Sequence, residues 1–146
     1  MTEELVTLET AKLLKKKGFN ERTLFAYKNN GDLYQDPNRI ESSYNSLPVP
    51  ELCENFHTCA NFIPCNKCQI AIHLISAPNQ SFAQKWLRET KNLHIEISYM
   101  YENYWIYDIL TIPNHDLVVL SDRPIIHYKS YEEALEAGIQ ETLKLI

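Results

Sequence analysis

Residues 93–112, LHIEISYMYENYWIYDILTI, decide the fold of this chain. In residues 93–101 apolar side chains alternate with mostly polar ones, which is the pattern of a β-strand with one buried face. Glu102 and Asn103 then predict a turn, and the apolar run at 105–112 predicts a second strand that pairs with the first. We therefore expect an antiparallel β-hairpin at this place in the chain.

The second strand of this hairpin differs from the first because both of its faces are apolar. One face carries Trp105, Tyr107 and Ile109, and the other carries Ile106, Leu110 and Ile112. A strand of this kind is either central under two layers or part of a surface that another chain covers. The second reading predicts a homodimer. The aromatic residues of the hairpin that we expect at a binding surface or interface are Tyr99, Tyr101, Trp105 and Tyr107.

Helices are predicted on both sides of the hairpin. Ser130 and Glu133 have the spacing of a capping box, which opens a C-terminal helix. Ser76 is expected to cap a middle helix with Pro78 in its first turn. Thr7 is expected to cap an N-terminal helix, because its hydroxyl can accept a hydrogen bond from an otherwise unpaired amide.

Further strands are predicted at 23–27 and 33–34 around an Asn30-Gly31 turn, at 70–75, and in extended pieces at 117–120 and 125–128. The order α-β-β-long loop-β-α-β-β-β-α predicts an α+β fold with a mainly antiparallel sheet and three helices. A length of 146 residues suits one domain. We therefore expect a single α+β domain, residues 1–146, with an irregular cysteine-containing loop at about 35–69.

All four cysteines fall in the irregular loop, at Cys53, Cys59, Cys65 and Cys68. Zinc prefers four tetrahedral sulfur or nitrogen ligands, and the Cys65-x2-Cys68 spacing suits two thiolates on one ion. Cys53 and Cys59 form no second pair of this kind, so His57 is an alternative ligand. Two interpretations stay open. Either one structural zinc holds the loop, or there is no cofactor and the cysteines pack as small apolar side chains.

Composition narrows the class of function. A net charge of −5 disfavours non-specific binding to nucleic acid or anionic membranes. Neither a signal-peptide pattern nor an apolar run of membrane-spanning length occurs, which favours the cytoplasm and no membrane partner. With only three glycines there is no phosphate-binding loop, and other catalytic motifs are also missing. These observations favour a non-enzyme.

Three regions of the chain carry a resemblance: TLETAK at 7–12, the stretch from SAP at 76–78 to QKWLRE at 84–89, and YEEALEAG at 131–138. In these regions the chain resembles a family of short open reading frames from phages and mobile elements of gut bacteria, a family without an assigned function. The resemblance implies a phage or mobile-element accessory protein in the cytoplasm of a bacterial host. It carries over no catalytic or binding residue.

Taken together, the patterns and the resemblance lead us to expect a small cytoplasmic accessory protein that binds a protein or a small ligand and catalyses no reaction. A nucleic-acid-binding module with a zinc-stapled loop is one alternative, in which the hairpin aromatics would stack on bases. A cysteine-dependent enzyme, with His57 or His73 as the base, is the other.

Overall fold

The computed structural model describes residues 4–28, 30–46, 74–118 and 126–146. Its elements are α1 (Leu8–Lys16), β1 (Phe25–Tyr27), β2 (Leu33–Gln35), a short 3-10 turn (Tyr44–Ser46), β3 (Ile75–Ala77), α2 (Gln80–Lys91), β4 (Leu93–Met100), β5 (Tyr104–Thr111) and α3 (Tyr131–Leu145). The described residues therefore contain three α-helices and five antiparallel strands. The predicted α+β class and the predicted order of elements are confirmed.

The chain forms two compact units, and their boundary falls within α1. Unit 1 comprises Met1–Leu13 and Asn79–Ile146, and unit 2 comprises Leu14–Pro78. The strands form two separate sheets, because β1, β2 and β3 pair with one another in unit 2 and β4 pairs with β5 in unit 1. Compact units occur inside single domains as well as in separate ones, so a single domain over residues 1–146 stays a prediction.

Unit 2 contains a three-stranded antiparallel sheet with β1 in the centre. The predicted turn between β1 and β2 is present, and Gly31 there has a φ of 92°, a conformation that glycine adopts without a steric penalty. Ala26 and Leu74 are buried together with the ring of Tyr44, and Tyr34 packs against them. These side chains form one cluster of the unit 2 core.

The middle helix begins later than its sequence predicts. Asn79 is the N-cap, since its Oδ1 accepts a hydrogen bond of 2.8 Å from the backbone N–H of Phe82. Ser76 instead lies in β3, where it is buried and its backbone N–H donates to the Asn45 side chain. The prediction of Ser76 as the cap, with Pro78 in the first turn, is therefore wrong, because the strand continues to Ala77.

Unit 1 contains the hairpin predicted from residues 93–112. The register pairs Ile95 with Ile109 and Tyr99 with Trp105, so these four side chains share one face. The last helix, α3, packs on this face at Gly138. Helix α2 contacts both β4 and α3, so it lies on the same face. The hairpin and the two helices form a two-layer arrangement.

The two apolar faces of β5 are both buried at its C-terminal end, where Ile109 and Leu110 point in opposite directions. Ile106 is half-buried, and Ile112 lies beyond β5 and is exposed. The homodimer that this pattern suggested stays a prediction. Leu117 and Tyr128 make isolated bridges to β5, and the residues between them at 119–125 lie outside the described part of the chain.

Candidate functional site

The closed end of the hairpin carries a group of aromatic side chains in contact with one another. The rings of Tyr99 and Trp105 face each other across the two strands, with centroids 4.8 Å apart and planes tilted by 55°. Tyr131, the first residue of α3, stands edge-on to Trp105 at 5.6 Å. We call this region the tip surface and define it by five residues: Tyr99, Tyr101, Glu102, Trp105 and Tyr131.

The tyrosines of the tip surface are unusually open to solvent. Tyr99 is 56% exposed, Tyr101 is 92% exposed and Tyr131 is 39% exposed. A cross-strand aromatic pair stabilises a hairpin, and this accounts for Tyr99 opposite Trp105. It does not account for Tyr101, whose ring buries almost nothing. Adjacent exposed aromatic rings are a feature of binding surfaces.

A tight turn places these rings. The backbone N–H of Asn103 donates to the carbonyl of Met100, and the hydroxyl of Tyr99 donates to Oδ1 of Asn103 at 2.5 Å. Glu102 and Asn103 have φ values of 80° and 67°, in the left-handed region. Asparagine tolerates this region, but glutamate seldom occupies it, since its Cβ lies close to the carbonyl oxygen. The turn therefore holds a charged residue where glycine would be less strained.

The hairpin is acidic. No lysine or arginine occurs in the hairpin, residues 93–111, whereas three acidic residues do: Glu96, Glu102 and Asp108. Glu96 and Asp108 lie directly opposite each other in the β4–β5 register, which is an unfavourable like-charge pair. Lys129, just before the cap of α3, is the basic residue nearest to Tyr131 in sequence. The backbone of Tyr128 pairs with Trp105 and His127 stacks on Tyr104, so this short segment with Lys129 flanks the hairpin. The hairpin strands and turn themselves carry carboxylates and neither lysine nor arginine, which favours a cation over a phosphate at the turn.

Three of the four aromatic residues predicted at a binding surface lie at the tip, namely Tyr99, Tyr101 and Trp105, and the rings of Tyr99 and Trp105 are in contact. Tyr107 does not join them, because it is only 8% exposed and packs against α3 at Gly138. The sequence pattern did not identify Tyr131 and Glu102 as site residues. In the sequence, Tyr131 directly follows the predicted Ser130 cap and Glu102 belongs to the predicted turn, so neither position carries a local pattern of its own for binding.

The predicted zinc site lies outside the described residues, because all of its candidate ligands fall between 47 and 73: Cys53, Cys59, Cys65, Cys68 and His57. Within the described ranges no group of three or more histidine, cysteine, aspartate or glutamate side chains could hold a metal ion. The structural zinc stays a prediction. The same is true of the cysteine-dependent enzyme, whose nucleophile and bases also lie in this segment.

A concavity of about 490 Å³ occurs in unit 1 beside α3. Its lining is rich in carboxylates and amides, and includes Glu4, Gln80, Glu132, Glu133, Glu136 and Gln140. Such a cleft has the volume of a small-molecule site. Whether this cleft can bind a ligand depends on whether its polar groups already form hydrogen bonds within the protein.

The carboxylate at the base of this cleft is already engaged by the protein. Oε1 of Glu136 accepts hydrogen bonds of 2.7 Å from the backbone N–H of Thr7 and from the hydroxyl of Thr10. Oε2 accepts a bond of 3.1 Å from Nε2 of Gln80. Amides at the start of a helix lack intrahelical partners, and a negative charge there is favourable. Glu136 therefore ties α3 to the start of α1, and we assign it a structural role.

A comparison of the chain with protein-family models, curated proteins and solved structures finds no match. The resemblance to phage and mobile-element reading frames stays an expectation drawn from the sequence. None of the helices in the described ranges has the length and apolar character needed to cross a membrane. Function is therefore inferred from the surface of the chain itself.

Proposed function

We propose that the chain is a small, non-enzymatic binding protein that docks a partner protein on the tip surface. The observation that supports this most strongly is Tyr101, which is 92% exposed beside Tyr99 at 56%. Tyrosine and tryptophan give a large contact area for few rotatable bonds, which is why they dominate the energetics of protein interfaces. A phage or mobile-element source and a bacterial cytoplasm belong to this proposal and rest on the resemblance alone.

Contacts within the protein hold two rings of the tip surface in position. Tyr99 is held by its hydrogen bond to Asn103, and Trp105 is held between Tyr99 and Tyr131. Side chains that are ordered before a partner arrives lose less conformational entropy on association. The positions of Tyr99 and Trp105 thus favour binding.

The nucleic-acid alternative finds less support at this surface. Proteins that stack bases on aromatic rings also contact the phosphates with lysine or arginine. The hairpin, residues 93–111, offers neither residue and carries three carboxylates instead.

Photo-crosslinking tests the proposal. A benzoylphenylalanine placed at position 101 is compared with one at Leu145, an exposed residue at the far end of α3. In a lysate of the bacterium that encodes the chain, we expect position 101 to capture a protein that position 145 does not. Unlabelled wild-type protein should compete for it, and the double variant Tyr99→Ser, Tyr101→Ser should not. Capture of the same proteins from both positions would contradict the proposal.

The homodimer is a separate proposal that rests on the apolar faces of β5. Light scattering at micromolar concentration tests it, with a dimer as the expected result. A monomeric mass would reject the homodimer and leave docking at the tip surface unaffected.

A further inference from the structure

We propose that the partner segment that docks on the tip surface is basic and is recognised through an arginine side chain. This inference rests on the proposed function and names the chemistry of its partner. It follows from three observations on the hairpin: a depression at its turn that combines aromatic rings with a carboxylate, the unusual backbone at Glu102, and the absence of lysine and arginine from the hairpin sequence.

The depression lies at the tip, has a volume of about 610 Å³ and is lined by Tyr99, Met100, Tyr101, Glu102 and Asn103. The faces of tyrosine rings attract cations, and a carboxylate beside them adds a charged hydrogen-bond acceptor. Arginine fits this combination better than lysine. Its planar guanidinium stacks on a ring while its edge donates two hydrogen bonds to a carboxylate, and it is the more weakly hydrated of the two cations.

The backbone at Glu102 is the second observation. Its φ of 80° places it third in a turn closed by the Asn103 N–H and the Met100 carbonyl, a position that glycine or asparagine normally takes in type II turns. Among the described residues, none forms a hydrogen bond or ion pair with the Glu102 carboxylate. The side chain thus has no visible role in the fold that offsets the strain. A cation from a partner would give this carboxylate its role.

Charge complementarity favours a basic peptide over a second copy of the chain or a nucleic acid at the tip surface. A second copy would bring the same acidic hairpin against this one, and a nucleic acid would bring phosphates against carboxylates. A basic peptide segment meets no such repulsion. We therefore assign the surface to an arginine-bearing segment of another protein.

Fluorescence anisotropy with defined peptides tests this assignment on the full chain. The probe is a fluorescein-labelled octapeptide of alternating arginine and serine, used at low ionic strength. Two matched peptides replace arginine by lysine or by citrulline, which keeps the shape of arginine but is neutral. We expect the arginine peptide to bind most tightly, the lysine peptide more weakly, and the citrulline peptide about tenfold or more below arginine.

Variants locate the binding. Tyr99→Ser combined with Tyr101→Ser should weaken the arginine peptide about tenfold, and Glu102→Gln should weaken it about threefold or more. Glu96→Gln is the matched control, because it removes one exposed charge from β4 away from the turn. It should change the affinity by less than about twofold, since an exposed distant charge is largely screened.

Other results would overturn the inference, the proposed function, or both. Equal binding of the arginine and citrulline peptides, or equal effects of Glu96→Gln and Glu102→Gln, would overturn the inference. So would tighter binding of an oligothymidine, or a dimer that Tyr101→Ser abolishes. If no arginine peptide binds while crosslinking from position 101 still captures a partner, the inference fails and the proposed function stands. If crosslinking also fails, both are rejected.

Discussion

The two ends of the β4–β5 hairpin differ in how closely the rest of unit 1 packs against them. At the base, α3 approaches so closely that a Cβ atom at Gly138 would lie 2.7 Å from Cγ2 of Ile95, and the neighbouring ring of Tyr107 is buried. At the tip, Tyr101 is almost wholly exposed and Glu102 has a strained backbone. The same pair of strands thus provides close packing at one end and an exposed, acidic, aromatic surface at the other. The contrast separates residues that stabilise the fold from residues that are available for a partner.

The strongest test of the base is Gly138→Val. Its side chain would overlap Ile95 and the Tyr107 ring, neither of which is the end of a flexible chain, so we expect a loss of about 3 kcal/mol in the free energy of unfolding. Urea unfolding measures it. Ala137→Val, one position earlier on α3, is the control. Its free energy of unfolding should fall by only about 0.6 kcal/mol, which is the difference in helix propensity between alanine and valine. Equal losses would show that the close approach at Gly138 is absent.

A second test of the packed part of unit 1 is Glu136→Ala. This variant leaves the Thr7 N–H and the Thr10 hydroxyl without their shared charged acceptor, so we expect a loss of about 2 kcal/mol. The control is Glu132→Ala, one turn earlier on α3. Because the side chain of Glu132 is exposed, this variant should lower the free energy of unfolding by no more than about 0.5 kcal/mol. If both variants lose the same small amount in urea unfolding, the carboxylate does not tie the two helices.

Substitutions at the tip should change the free energy of unfolding much less than those in the packed part of unit 1. Tyr101→Ser should change the free energy of unfolding by no more than about 0.5 kcal/mol, since its ring is exposed. Tyr99→Ser should lose somewhat more, about 0.5–1 kcal/mol, because it removes the cross-strand contact with Trp105. A loss above about 1 kcal/mol for Tyr101→Ser would mean that the ring supports the fold and is not reserved for a partner.

Local patterns explain which parts of the fold could be predicted. The alternation in residues 93–101 depends only on the period of a strand, and the Ser130 cap depends only on a four-residue motif, so both were found from sequence. The sequence predicts Ser76 as the cap of the middle helix, whereas Asn79 is the cap. Ser76 stays in a strand, where it pairs with Ala26 and its N–H donates to Asn45, both of them distant in sequence. Contacts of that range leave no local signal.

The tip surface follows the same rule, because its residues within the strands have a local pattern and the others do not. Tyr99 and Trp105 meet because the strand register brings them opposite each other. The alternation predicts the strands and the faces of their side chains, but it does not specify which residues pair. Tyr131 joins them only because α3 docks on the sheet, which is a tertiary event. The importance of Glu102 depends on its φ angle, and residue types in a turn do not specify that angle uniquely.

The central claim is that the turn gives up stability for recognition, and Glu102→Gly tests it most directly. Glycine relieves the left-handed strain and removes the carboxylate. We predict that the free energy of unfolding rises by about 1 kcal/mol while the affinity for the arginine octapeptide falls at least about threefold. Glu102→Ala, which keeps the strain, should lose the affinity without the gain in stability. A Glu102→Gly variant that is no more stable, or that binds the peptide as tightly as wild type, would contradict the claim.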